Sequence, residues 1–196
     1  MWYVVDGMDG CGKSSAASCI TAKLESEGRR VLELTHPNRD TKIGRKEAEY
    51  LLQDGKYAKI MATLMYIFDV MHSIRLMKKA KKTNEYDDFV FVRYIMAVSY
   101  LPKPLAKLAY KFFEIVFPTP DVKIFVDVTG PTAMARINSR GEELETFETE
   151  EQLTKTREKM LMFIPKGWYL VDNNGSFEES KTQIYGILKE VNDGDP

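Results

Sequence analysis

Gly7-Met8-Asp9-Gly10-Cys11-Gly12-Lys13-Ser14 is the stretch whose residue types and spacing point most directly to chemistry. It satisfies G-x-x-x-x-G-K-[ST], in which glycines let the backbone turn tightly enough to aim its N–H groups at a polyphosphate. The context agrees with the motif. Trp2-Tyr3-Val4-Val5 before it reads as a strand, and Lys13 opens a helical pattern whose N-terminal dipole favours an anion. Gly7, Met8, Asp9, Gly10, Cys11, Gly12, Lys13, Ser14 and Ser15 are therefore expected to cradle a nucleoside triphosphate such as ATP. Lys13 is expected to reach the β/γ-phosphates, and the Ser14 hydroxyl to ligate Mg²⁺.

Such a cradle has to be held by regular elements. Apolar runs at Trp2–Val5, Val31–Leu34, Phe89–Val92, Val122–Val128 and Trp168–Val171 read as strands. Helical spacing fills the intervals. Lys13–Glu27 stops at Gly28, and Tyr57 to about Lys81 carries Ile60, Leu64, Ile67, Met71 and Ile74 on a helical repeat. Ser99–Val116 follows, its start delayed by Pro102 and Pro104, then Thr132–Ser139, Thr149–Phe163 and Phe177–Val191. Strands alternating with helices imply βαβ crossovers. The expected fold is a three-layer α/β P-loop NTPase fold, with a five-stranded parallel sheet flanked by helices and the P-loop at the C-terminal edge of the first strand. No repeat or linker divides residues 1–196, which read as one domain.

Composition narrows the partners. The 28 Lys and Arg nearly balance the 29 Asp and Glu, for a net charge of −1, so a broad polyanion-binding surface is excluded and no nucleic-acid partner is expected. Any anionic ligand must be held by a few placed groups. Cys11 and Cys19 are too close in sequence to staple a fold, and nothing suggests an oxidising compartment. With no basic leader and no stretch of about 18 uninterrupted apolar residues, a cytoplasmic protein without a membrane partner is expected. Met61, Met65, Met71 and Met77 read as core filling, and Lys78, Lys79, Lys81 and Lys82 as a solvated helix end.

Several further segments, in the right order, resemble the thymidylate kinase family of nucleoside-monophosphate kinases from Met1 to about Lys189. Asp6–Ser14 is similar to that family's P-loop, including the acidic Asp9. His36-Pro37-Asn38-Arg39-Asp40-Thr41-Lys42-Ile43-Gly44 resembles its F-P-x-R-x-T-x-I-G segment. Arg93-Tyr94 follows a strand as in the D-R-Y motif, and Pro120-Asp121 precedes the strand that leads to the lid. Arg136, Arg140 and Phe147-Glu148 resemble the lid pattern R-x-x-x-R…F-E, placing a lid around 136–150.

The resemblance implies transfer of the γ-phosphoryl group from ATP to a nucleoside monophosphate, dTMP first among them. Arg39 and Arg93 would grip the acceptor's phosphate, where a planar fork outperforms an ammonium. Asp9 would contact the acceptor sugar, and Tyr66 would stack on the base. Some family members carry an arginine inside the P-loop where this chain has Gly10, and others supply it from the lid. Gly10 directs attention to Arg136 and Arg140 as the catalytic arginines. Adenine contacts would come from the lid and the Asp172-Asn173-Asn174 loop. A homodimer is implied, with the Tyr57–Met77 helix as one candidate face.

Three positions depart from the pattern. The D-R-Y aspartate is Val92, which leaves Asp9 or Asp127 to assist the metal, although Asp127 also suits a cap or turn. The base-pocket segment F-x-x-[DN]-R aligns with Tyr66-Ile67-Phe68-Asp69-Val70, so Val70 stands where the family arginine would be, with Arg75 as a candidate replacement. The tyrosine of A-Y-Q appears one position early as Tyr100. These departures keep two other readings open: a relative with a different nucleotide or nucleoside acceptor, and a nucleotide-binding regulator without transfer activity.

Overall fold

The five apolar runs form one all-parallel sheet: β1 (Trp2–Asp6), β2 (Val31–Thr35), β3 (Asp88–Val92), β4 (Val122–Asp127) and β5 (Tyr169–Asp172), in the order β2-β3-β1-β4-β5. The computed structural model describes residues 1–53, 55–139, 141 and 148–194. β1 lies at the centre, with Val5 opposite Val92 of β3 and Asp6 opposite Phe125 of β4. Every residue of β1 and β3 is buried. Strands covered on both faces read as near-continuous apolar runs rather than alternating ones, which is why they stand out in the sequence.

Seven helices connect and cover the strands among the described residues: α1 (Lys13–Ser26), α2 (Lys42–Leu51), α3 (Lys56–Thr83), α4 (Lys103–Val116), α5 (Gly130–Ser139), α6 (Glu150–Leu161) and α7 (Phe177–Asp193). α1 packs on β1, β2 and β3 and against α7. The return connections from β2 through β5 run the opposite way across the sheet, so right-handed crossovers put α3, α4 and α6 on the other face.

Two elements differ from expectation. α2 was not foreseen, because Lys42–Leu51 is short, half charged, and carries only Ile43, Ala48, Tyr50 and Leu51 as apolar side chains. Its start is fixed by Thr41, whose hydroxyl accepts from the Gly44 N–H. The expected Ser99–Val116 helix is broken into a 3₁₀ turn, Ile95–Tyr100, and α4. Pro102 sits in the break, as the residue just before α4, and Pro104 in the first turn of α4, where its missing N–H costs no helical bond.

α3 shows how far periodicity can be trusted. Val70, Ile74, Met77 and Ala80 are buried in the core, whereas Ile60, Leu64 and Phe68 are exposed. Met77 fills the core as expected, while Met61, Met65 and Met71 are only half-buried. By length and hydropathy Ile60–Thr83 could also cross a membrane, but here its buried side chains belong to the sheet's core.

Candidate active site

Three connections leave the C-terminal ends of β1, β2 and β3 and meet around a cleft of about 660 Å³. Its walls include Asp9, Gly10, Gly12, Lys13, Ser14 and Ser15 from the P-loop, Pro37–Asp40 after β2, and Arg93 after β3. This is the edge of an open parallel sheet where ligand sites concentrate. No side chain caps α1 at Gly12, and the first residues of that helix line the cleft, Ser14 and Ser15 with exposed side chains. Unsatisfied N–H groups and hydroxyls at a helix start suit an anion.

Asp9 is the hub of the site. Its carboxylate accepts from Arg93 Nη2 and from the Tyr100 hydroxyl, and lies 3.5 Å from Lys13 Nζ. Burial alone would push the Asp9 carboxyl up, but the Arg93 and Lys13 charges and the hydrogen bonds outweigh it and hold it well below the usual carboxylate range. Burial, together with the Asp9 charge, pushes the Tyr100 phenol far up, so it remains a donor. Lys13 is itself buried and donates to the Met8 carbonyl at 2.7 Å. Two cations suited to phosphate are thus gathered around one carboxylate.

Gly10 is held at φ +75, and a Cβ there would come within 2.5 Å of the Ala133 carbonyl oxygen of α5. The P-loop and the helix leading to the predicted lid therefore touch backbone to backbone. Met8 and Cys11 point inward, and burial pushes the Cys11 thiol up. Below the loop, Asp6 accepts from the N–H groups of Gly7 at 2.9 Å, Tyr94 at 2.9 Å and Met96 at 3.3 Å. Burial raises its pKa despite these donors.

The loop after β2 is tied down from a distance. Asp69 of α3, fully buried, accepts from the Asn38 N–H at 2.7 Å and from the Thr41 hydroxyl at 3.3 Å. Gly44 lets α2 pass beneath Asn38, whose carbonyl oxygen a side chain at 44 would strike. Arg39, exposed, is carried to the cleft rim on this loop, and Arg45 donates to the Arg39 carbonyl at 3.0 Å.

His36 begins the loop and is completely buried. Its Nδ1 lies 2.9 Å from the Arg93 carbonyl and 3.2 Å from that of Val92, and its Nε2 lies 2.9 Å from Ser73 Oγ. Carbonyls only accept, so the network assigns the neutral tautomer with the proton on Nδ1 and Ser73 donating to Nε2. Burial lowers the His36 pKa despite the nearby Asp69 charge. The unfolded chain then takes up a proton below about pH 6.5 that the folded state resists, so this contribution to stability is lost as pH falls. Urea unfolding at pH 7.5 and pH 5.5 should show lower stability at the acidic value, and His36→Asn should flatten that difference.

The opposite side of the P-loop is bound to the connection between β5 and α7. Asn173, buried, donates from Nδ2 to the Cys11 carbonyl at 2.8 Å and accepts from Ser180 Oγ at 2.7 Å. Arg136 Nη2 reaches the Asn173 carbonyl at 2.8 Å. Arg140 and residues 142–147, Phe147 included, lie outside the described residues. Two contacts that sequence reasoning missed come from α6. Arg157 makes a two-pronged pair with Asp127 at 2.7 Å, and Lys159 donates to the Leu101 carbonyl at 2.8 Å, next to Tyr100.

Lys13, Ser14, Ser15, Arg39 and Arg93 thus share one cleft, with Tyr100 joined to it through Asp9. Arg136 and Asn173 lie beside Gly12. Val70 does not reach the cleft, because its helix face turns into the core and leaves it fully buried. Arg75, exposed five residues further on, lies on another side of α3. Tyr66 is half-buried, and its hydroxyl donates to the Tyr94 carbonyl. Asp127 is engaged by Arg157, and Val92 contributes only its carbonyl, which accepts from the His36 N–H at 3.1 Å.

Comparison with known proteins gives the family. A family model described as thymidylate kinase matches residues 5–184. A probable thymidylate kinase of Archaeoglobus fulgidus is 27% identical over 191 residues, covering 96% of this chain and 95% of that one. One from Methanococcus maripaludis is 27% identical over 206 aligned positions, covering 100% and 96%. Among solved structures, a thymidylate kinase from Candida albicans superposes with a TM-score of 0.71 over 99% of this chain and 93% of that one, at 19% identity, which is a likeness of fold. Because the matched family span takes in both walls of the cleft and reaches α7, the chain belongs to the thymidylate kinase family of nucleoside-monophosphate kinases.

Proposed function

We propose that this protein transfers the γ-phosphoryl group of ATP to dTMP, yielding ADP and dTDP. The observation that carries the reading is the meeting of Lys13, Arg93, Asp9 and Tyr100 at a cleft walled by the P-loop on one side and by the Arg39 loop on the other. The names of the relatives supply the choice of acceptor. The triphosphate lies along the start of α1, with Lys13 at its β/γ end. The acceptor monophosphate approaches from the β2 side, its phosphate held by Arg93 and Arg39 and its sugar beside Asp9 and Tyr100. Two polyanions are brought together by placed cations, so positioning and charge neutralisation do most of the catalytic work. Arg136, beside Gly12, meets the donor phosphates from α5, and Asn173 borders the adenine side.

The donor set fits Mg²⁺ carried in on a polyphosphate. Ser14 offers an exposed hydroxyl at the mouth of the cleft, and among the described residues no cluster of three Asp, Glu, His or Cys side chains competes for the ion. Ser14 would hold the ion from the protein side, with the polyphosphate and water supplying the remaining oxygens that Mg²⁺ prefers. Bound there, the ion would neutralise charge developing on the transferring group. The exposed apolar side chains of α3 and α4, among them Ile60, Leu64, Phe68, Leu108, Phe112 and Ile115, suit the face of a cytoplasmic homodimer.

ADP release measured across a panel of nucleoside monophosphates tests the proposal. Turnover highest with dTMP is expected, and no turnover with any member at millimolar concentration would refute it. A different best acceptor would support the second reading, which buried Val70 and the engaged Tyr66 hydroxyl favour.

A further inference from the structure

Arg93 has an unusual backbone for a long side chain, with φ +66 in the left-handed region. Such a conformation strains a non-glycine residue and persists only when its surroundings over-determine it. Here they do. The Arg93 N–H donates to the Val5 carbonyl at 2.9 Å, extending the β1–β3 ladder. The next two constraints both come from His36. Its ring Nδ1 meets the Arg93 carbonyl at 2.9 Å, and its own carbonyl accepts from Arg93 Nη1 at 2.8 Å. One residue thus grips both ends of Arg93, the peptide and the guanidinium. The second guanidinium nitrogen, Nη2, is left directed at Asp9 in the cleft.

The ring itself is locked. Ser73, fully buried on α3, occupies Nε2 at 2.9 Å, and the rings of Phe91 and Tyr66 flank it edge-on at 5.7 and 6.2 Å. An apolar side chain could fill the same space but would leave the Arg93 and Val92 carbonyls without this donor.

We propose that His36 is a positioning residue for the transfer reaction: it holds Arg93 in its left-handed conformation and aims the guanidinium at the acceptor phosphate, with Ser73 fixing the tautomer that does so. This rests on the reading of Arg93 as the group that grips the acceptor. His36 touches neither nucleotide and acts through Arg93 alone. Its effect therefore belongs to the acceptor side of the reaction and not to ATP binding.

Steady-state kinetics on five proteins test this: the parent, His36→Gln, His36→Asn, Arg93→Ala and the His36→Gln/Arg93→Ala double variant, each with a thermal melt to establish that it is folded at the assay temperature. An asparagine amide nitrogen falls near the imidazole Nδ1, whereas a glutamine amide falls near Nε2. His36→Gln is expected to lower kcat/KM for the monophosphate by about tenfold or more, with KM for ATP changed less than about twofold. His36→Asn should rescue most of that loss, and in the Arg93→Ala background His36→Gln should cost nothing further. Equal losses in the two His36 variants, an equal loss in the Arg93→Ala background, or a parallel rise in KM for ATP would each overturn the proposal. If Arg93→Ala alone leaves turnover intact, the reading of Arg93 fails and this proposal with it. Where His36→Gln does not fold, Ser73→Ala takes its place: a loss confined to the monophosphate supports the proposal, and unchanged kinetics refute it.

Discussion

Arg93→Ala is expected to lower kcat by about 10²–10³-fold, the range for removing a donor that meets developing charge, while ATP affinity changes less than about threefold. The separation follows from where the side chain stands. Arg93 closes the β3 side of the cleft, whereas the P-loop backbone, Lys13 and the first turn of α1 lie opposite and keep their own supports in Asn173 and Asp6. The variant should also show a change at Asp9. Burial opposes ionisation of that carboxylate, and Arg93 is the largest influence holding it ionised. Removing the guanidinium raises the Asp9 pKa toward its ordinary value of 3.8, so the stability this carboxylate confers above that value shrinks and less of it remains to be lost on acidification. Arg93→Lys should recover only part of the rate, since an ammonium cannot bond Asp9 and the His36 carbonyl as a fork does. Rapid-quench turnover together with equilibrium ATP titration checks both halves. A fall in ATP affinity as large as the fall in kcat would show that Arg93 serves the donor instead.

The second large effect concerns Gly10. Members of the family with an arginine in the P-loop invite the Gly10→Arg substitution as a gain of function. The geometry predicts the opposite, a loss of about 10²-fold or more in kcat with weaker ATP binding. An L-residue at φ +75 is strained wherever it sits, and the new Cβ would lie 2.5 Å from the Ala133 carbonyl oxygen. Backbone cannot yield as a side-chain tip does, so either α5 moves or the loop opens. Arg136 lies one turn along the same helix and would be carried off its contact with Asn173. Gly10→Ala separates the causes: it carries the clash without the charge and should lose nearly as much. If Gly10→Arg matched or exceeded the parent rate, the close approach of loop and helix would have no functional weight.

The parts legible from sequence are those whose information is local. The P-loop is eight consecutive residues between a strand and a helix, and the strands are short apolar runs because the sheet is covered on both faces. What could not be read depends on rotation or on distance along the chain. Val70 and Tyr66 lie on a 28-residue helix, and only packing decides which side of it meets the core and which the cleft. Asp69 anchors a loop about thirty positions earlier, and Arg157 meets Asp127 only because α6 returns across the end of β4. α2 escaped notice because it is only ten residues long and half charged, and it depends on the Thr41 cap and on packing against α3. One signal was available and unused. A histidine before Pro37, in a segment whose family pattern has phenylalanine, marks a polar group that needs partners if it is buried.

The left-handed backbone at Arg93 bears on how this protein responds to selection. Glycine adopts that conformation without strain, so Arg93→Gly relieves local strain where most substitutions add it. Yet glycine also strips the buried Asp9 carboxylate of its main partner, so strain relief and loss of the ion pair pull a screen for heat resistance in opposite directions at this position. A screen coupled to turnover keeps the arginine and seeks its gains elsewhere, on surfaces that no nucleotide touches.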